Sequence, residues 1–167
     1  MIRTQLLVVL LIIASSLVAA GQASNVISFT GFGPVEVGMS QSEAARAIGD
    51  ELVEEPSGTE GCFQVHPKSQ PKLHFMIEDD HITRVETDDA RYQTFNGIRV
   101  GDSEEKVKEL CKGSAEISVH HYDPTGHYLT IRSKDKKQAI VIETDGNTVI
   151  YIRAGVVPSA EYVEGCL

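Results

Sequence analysis

The chain has 167 residues, a formal net charge of −9 and an apolar fraction of 41%. This length suits one domain, or two closely joined halves that share a single core. The acidic excess argues against nucleic acid and anionic lipid surfaces as partners.

Residues 1–23 have the composition of a secretory signal. Arg3 precedes an apolar run from Leu6 to Ala20, and small residues follow at Gly21 and Ala23. The apolar run, of about 15 residues, is shorter than the roughly 18 to 20 needed to span a membrane. We therefore predict cleavage before Ser24, or alternatively before Gly21, and no stable membrane anchor. The mature protein is expected to be periplasmic or secreted.

A ten-residue pattern occurs twice in the chain, first at residues 35–44 and again at residues 98–107. In each copy an alternation of β-branched residues ends at a glycine, and a serine follows two positions later. The pattern predicts an internal repeat, with one αβ unit in residues 24–95 and a second in residues 96–167.

Each serine of this pattern is expected to cap a helix. Ser40 with Glu43 forms a capping-box pattern, and Ser103 precedes two glutamates that suit the positive end of a helix. Gly49 and Gly113 are predicted to end the two helices. Apolar residues at helical spacing predict one buried face per helix: Ala44, Ala47 and Ile48, then Val107, Leu110 and Cys111.

Alternating apolar residues after each helix predict antiparallel strands. The expected strands are residues 62–66, 73–77, 81–86, 117–122, 128–132, 139–143 and 148–154. We predict an α+β fold of two repeated helix-plus-antiparallel-meander units. They would form a sheet of about seven or eight strands, with both short helices on one face and the other face exposed.

The repeated stretch, followed by a helix and a meander, resembles the repeat of the β-lactamase-inhibitor-protein fold, which the small outer-membrane assembly lipoproteins share. The resemblance covers roughly residues 31–155. It implies a tandem αβ module that presents a sheet surface to another protein. The short-range cystine loops of the inhibitors and the lipidated cysteine of the lipoproteins have no counterpart here, and fold transfers better than function.

Three cysteines in an exported chain allow one disulfide. Cys111 stands on the apolar stripe of the second predicted helix, where Ile48 stands in the first copy. A buried free cysteine behaves as a small hydrophobic residue. We therefore predict a disulfide between Cys62 and Cys166, with pairing of Cys111 and Cys166 as the alternative.

Aromatic and arginine side chains on the predicted strands suggest a contact surface. A sheet face bearing Tyr122, Tyr128, Arg84 and Arg132 would suit recognition of another protein, because tyrosine offers a large contact area at small entropic cost. The alternative is that aromatic residues alternating along the sheet belong to the core.

His120, His121 and His127, with Asp123, form the densest group of possible metal ligands. Neighbouring residues in a strand point to opposite faces, and the spacing matches no known zinc site, so we assign no metal and no cofactor. We find no catalytic motif and expect a non-enzymatic protein that binds an envelope or extracellular protein. The alternative is a periplasmic protein that binds a small ligand or metal at the histidine-rich hairpin.

Overall fold

The computed structural model describes residues 25–166, so the predicted signal lies outside the described residues. Two α-helices form among these residues, α1 at Gln41–Ile48 and α2 at Glu104–Cys111, and a short 3-10 helix spans Ser159–Glu161. The strands of the main sheet are β4 Leu52–Thr59, β5 Cys62–Pro67, β6 Leu73–Glu78, β7 His81–Thr87, β9 Ala115–Val119, β10 His127–Arg132, β11 Gln138–Thr144 and β12 Val149–Val156. The strands of a smaller sheet are β1 Val26–Ser28, β2 Gly31–Phe32, β3 Val35–Glu36 and β8 Gln93–Thr94.

The main sheet has eight strands in the order β4-β5-β6-β7-β12-β11-β10-β9, and every neighbouring pair is antiparallel. Its two halves are four-stranded meanders, each preceded by one helix, and they meet where β7 pairs with β12. The smaller sheet has the order β3-β2-β1-β8, with β1 and β8 parallel. The predicted α+β class and the size of the main sheet are confirmed.

The helix starts agree with the predictions. The Ser40 side chain accepts from the Glu43 backbone N–H, and Glu43 completes the capping box; Ser103 accepts from the Lys106 N–H in the same way. Gly49 ends α1 with a φ of 72°. The predicted end of α2 is wrong by one residue, because Lys112 takes the left-handed conformation before Gly113 does.

The loops that lead into the two helices have matching local geometry. The N–H of Gly38 donates to the carbonyl of Ile82, and that of Gly101 donates to the carbonyl of Val149, each at 2.8 Å. The two glycines have φ values of 90° and 89°, which L side chains rarely adopt. Each loop is thereby fixed to one strand of its own meander. This is a local match, and duplication of the whole unit stays a prediction.

Both helices pack on the same face of the main sheet. Ala44 of α1 and Val107 of α2 are fully buried in one hydrophobic core, which collects alternate residues of the strands: Val65, Leu73, Phe75, Ile77, Val85, Leu129, Ile131, Ile140, Ile142, Ile152 and Ala154. Cys111 is also buried there, as predicted, but Leu110 is exposed. The buried face predicted for α2 therefore included one residue, Leu110, that is exposed in the structure.

Strand β4 and the smaller sheet have no counterpart in the sequence predictions. β4 contains Pro56 and Gly58, and its pairing with β5 shifts between Glu54 and Gly58. Proline and glycine are disfavoured in strands, so this segment lacks the usual strand signal. Tertiary pairing with β5 overrides the local preference.

Glu104, the first residue of α2, is an acidic side chain in the core, with 2% of its surface exposed. Its carboxylate accepts hydrogen bonds from Thr144 Oγ1 at 2.5 Å and His127 Nδ1 at 2.9 Å, and pairs with Lys108 Nζ at 2.7 Å. Burial by itself raises the pKa of Glu104, but these hydrogen bonds outweigh burial and lower it to about 2. The ionised carboxylate thus ties α2 to β10 and β11.

We expect Glu104→Gln to lower the free energy of unfolding by about 2–3 kcal/mol at pH 7. Because the folded-state pKa is depressed, this stabilisation is fully present above the unfolded pKa of about 4.5 and is lost as pH falls towards 2. Urea unfolding at a series of pH values should show the two proteins converging in acid. Glu105→Gln, at an exposed neighbouring position, is the control and should leave stability nearly unchanged.

Gly155 lies at the junction of the two halves, where it pairs with Arg84. A Cβ atom at this position would overlap the carbonyl oxygen of Thr83 and lie 2.8 Å from the Arg84 Cα. We expect Gly155→Ala to destabilise the protein by about 2–3 kcal/mol, since both conflicting groups are backbone. Gly165→Ala, whose new Cβ would meet nothing nearer than 3.7 Å, should be tolerated in the same unfolding measurement.

Candidate functional site

The face of the main sheet opposite the helices is crossed by residues 158–166, which we call the C-terminal strap. Arg84 Nη1 donates to the carbonyls of Ser159, at 3.0 Å, and Tyr162, at 3.2 Å. The strap ends at Cys166, which forms a disulfide with Cys62 at the start of β5. The expectation that this face is exposed is therefore wrong for its central part, because the chain end returns over it.

The disulfide is the predicted one. Cys62 and Cys166 are 104 positions apart in sequence, and their Cα atoms lie 5.3 Å apart. Cys111 is a free, buried thiol, and burial raises its pKa. A thiol in this setting is a poor nucleophile, since the thiolate is disfavoured.

Under the strap, β5, β7 and β12 contribute a buried polar cluster. Arg84 Nε lies 2.6 Å from Glu86 Oε2, and both side chains are almost fully buried. The Gln64 amide donates to Glu86. Burial, followed by the negative charge of Glu86, raises the pKa of Tyr151 strongly, so this phenol stays protonated. The cost of removing both charges from water offsets the attraction between them, so this buried ion pair is weak evidence of added stability.

A second polar cluster continues across β10 and β11. Arg153 Nη1 lies 3.3 Å from Glu143 Oε2, and its guanidinium sits 5.3 Å from the centre of the Tyr128 ring. His120 Nδ1 accepts from the backbone N–H groups of Tyr122 and Asp123, so Nε2 carries the proton that is donated to Glu143 Oε1 at 2.8 Å. These contacts define the tautomer of His120.

Two cavities open beside the strap. One of about 300 Å³ lies over β9, β10 and β11, and one of about 260 Å³ lies over β5, β7 and β12. Val163 of the strap and Arg153 line both cavities. The arginines that line these cavities already pair with glutamates. Side chains arranged in this way are suited to polar contacts with the strap.

The four residues predicted to bind a partner differ in exposure. Arg84 and Tyr128 are only 2% and 8% exposed, so the surface that was expected to expose them is not formed. Arg132 is partly exposed and is ion-paired with Glu116 and with Glu161 of the strap. Tyr122 is 66% exposed, in the turn after β9. A role in partner binding stays a prediction for Tyr122 and Arg132.

The histidines of the 120–127 hairpin are held apart. His120 bonds to Glu143 on the strap side of the sheet, whereas His127 bonds to Glu104 beneath α2. Within residues 25–166, no group of three histidine, cysteine or acidic side chains is placed to hold a metal ion. Because His120 and His127 bond to different carboxylates, the alternative hypothesis of a metal site at this hairpin has no geometric support.

The sheet edge at β9 carries exposed apolar side chains that sequence reasoning did not single out. Ile117 is 49% exposed and Val119 is 65% exposed. Together with Tyr122 we call them the edge patch. The sequence pattern did predict a strand here, but the alternation of apolar residues suggested burial. Only the strand order, which leaves β9 without an outer neighbour, accounts for their exposure.

No helix among the described residues is long and apolar enough to cross a bilayer.

Comparison with known proteins identifies a fold. No family model matches the sequence, and no curated protein matches it. The structure is similar to the crystal structure of the uncharacterized protein yfeY from Escherichia coli, with a TM-score of 0.51 and 12% identity, over 78% of this chain and 99% of that one. At this identity the likeness shows a shared α+β architecture alone.

A second solved structure is an extracellular protein containing a SCP domain from Bacillus anthracis str. Ames. It has 9% identity and a TM-score of 0.48, over 72% of this chain and 44% of that one. The resemblance to the inhibitor-protein fold is not among these matches and stays a prediction.

Removing the disulfide with Cys62→Ser and Cys166→Ser should lower the free energy of unfolding by about 4–5 kcal/mol, because the bridge closes a loop of roughly 100 residues. Thermal unfolding of the oxidised protein and the double variant measures the loss. Cys111→Ala should keep the bridge, and non-reducing peptide mapping should recover the peptide that joins residues 62 and 166. Recovery of Cys111 in the major crosslink would contradict the assignment.

Proposed function

We propose that this chain is an exported, non-enzymatic module that binds another envelope or extracellular protein, as an inhibitor or an envelope assembly factor. A signal-like amino terminus and a disulfide suit an oxidising compartment outside the cytoplasm. The acidic net charge favours a protein partner over nucleic acid.

The observation that carries this proposal is the edge patch. Ile117, Val119 and Tyr122 are large apolar or aromatic side chains exposed at or just after β9. Val119 also lines the cavity over β9, β10 and β11, where Arg132 supplies a partly exposed charge. Exposed aromatic and aliphatic anchors next to a polar rim are typical of protein interfaces.

We further infer that the two halves arose from one ancestral helix-plus-meander unit, as in the inhibitor-protein fold. The matching hydrogen bonds of Gly38 and Gly101 and the mirrored order of the two meanders support this origin.

Affinity capture from an envelope extract tests the proposal. The mature protein should retain a specific partner, and Val119→Lys should reduce its recovery by about tenfold or more, as expected for loss of roughly 1.4 kcal/mol at an interface anchor. Quantitative mass spectrometry of the retained proteins gives the measurement.

Phe95→Lys provides the matched control. Phe95 is 54% exposed but follows β8 in the smaller sheet, so its replacement should leave capture unchanged. Both lysine variants change exposed positions and should melt near the temperature of the parent protein. Equal recovery by all three proteins, or no retained protein at all, would count against the proposal.

A further inference from the structure

Strand β9 has a free backbone edge. His120, the residue after β9, continues the ladder, since its backbone N–H donates to the carbonyl of Gly126 at 2.9 Å. Because hydrogen-bonded pairs alternate along an antiparallel ladder, Glu116 and Ser118 direct their backbone groups to β10. The N–H and C=O groups of Ala115, Ile117 and Val119 therefore point away from the sheet. Within residues 25–166, no hydrogen-bond partner faces them.

The opposite edge of the same sheet, β4, is guarded. Pro56 interrupts its row of donors, a shift in register bends it near Gly58, and Glu54 and Glu55 add charge. These are the devices by which proteins block unwanted pairing at sheet edges. β9 has neither a proline nor a lysine, and its five residues pair continuously with β10. With one charged residue, Glu116, and no break in its pairing, this edge is less guarded than β4, and beside exposed apolar side chains it is suited to accept a strand.

We propose that β9 binds an extended segment of a partner protein, which adds as a ninth, antiparallel strand to the main sheet. This inference rests on the proposed protein-binding function and specifies its mode. Backbone hydrogen bonds to Ala115, Ile117 and Val119 supply the pairing, and alternate side chains supply selectivity.

The side chains of β9 define the chemistry of that segment. Apolar residues on the added strand would lie opposite Ile117 and Val119 and cover them. A basic residue would lie opposite Glu116, where cross-strand side chains of opposite charge are favourable and those of like charge are not. From its amino end, the partner segment is therefore expected to have the pattern apolar, any residue, apolar, basic, apolar, with the first residue opposite Val119 and the last opposite Ala115.

Charge favours such a partner over a second copy of this chain. Each copy has a net charge of −9, so two copies repel. Pairing of two β9 strands about Ile117 would also place Glu116 opposite Ser118 of the other copy, so the contact would add no charge pair to the one that Glu116 makes with Arg132 of its own chain. A basic segment from another protein satisfies both conditions.

The test uses the mature protein labelled with 15N and the soluble probe acetyl-Ser-Val-Thr-Val-Lys-Val-Ser-amide. We expect amide signals of Ala115, Ile117 and Val119 to shift on titration and their hydrogen exchange to slow, while those of β4 stay unchanged. A matched probe with glutamate in place of lysine should bind about fivefold more weakly.

Ile117→Pro and Ile117→Thr separate backbone pairing from side-chain contact. Proline removes an N–H that points outward and should weaken probe binding by about tenfold, whereas threonine keeps that N–H and should weaken it less. Exchange protection in the unaltered protein gives a readout that does not depend on the folding of either variant.

Absence of protection at these three amides, equal changes along β4, or protection that rises with protein concentration without probe would overturn the inference. Capture of a partner that Val119→Lys abolishes but Ile117→Pro leaves intact would overturn strand addition while it upholds the proposed function. Failure of capture alone would reject the proposed function, and the probe measurement would still decide whether β9 accepts a strand.

Discussion

The pairing of β7 with β12 is the constraint on which the rest of the structure depends. It joins two four-stranded meanders into one sheet, with Ala154 opposite Val85 and Gly155 opposite Arg84. One side of this junction belongs to the core beneath both helices. Gly155 permits the close approach, because a side chain there would overlap the neighbouring backbone. Without this pairing, each half would have one helix and half a core.

The same junction places charge at the centre of the opposite face. Arg84 and Glu86 from β7 lie beside Arg153 from β12, and charged groups in such a place need partners and cover. The strap supplies both, through the carbonyls of Ser159 and Tyr162 and the disulfide at Cys166. Under the proposed function, recognition therefore takes place at the β9 edge of the sheet and not at the centre of this face.

Much of the local structure could be predicted because its causes are local. A capping box requires only Ser40 and Glu43, which lie three positions apart in one chain segment, and a glycine such as Gly49 ends a helix through its own backbone conformation. The disulfide followed from placing Cys111 on a buried helix face. Prediction failed where neighbours decide: β4 forms despite Pro56, and Leu110 is exposed although its helical spacing predicted burial.

The candidate site shows the same division. The sequence by itself determined the helix starts, most strands of each meander and the acidic charge, since these depend on composition and short spacings. The thiol pairing was predictable because Cys111 falls on the apolar stripe of α2. Only the tertiary structure decided that Arg84 and Tyr128 are buried while Ile117 and Val119 are exposed. The physical reason is that exposure depends on strand order and on the path of the chain end. Both are set by contacts between residues far apart in sequence.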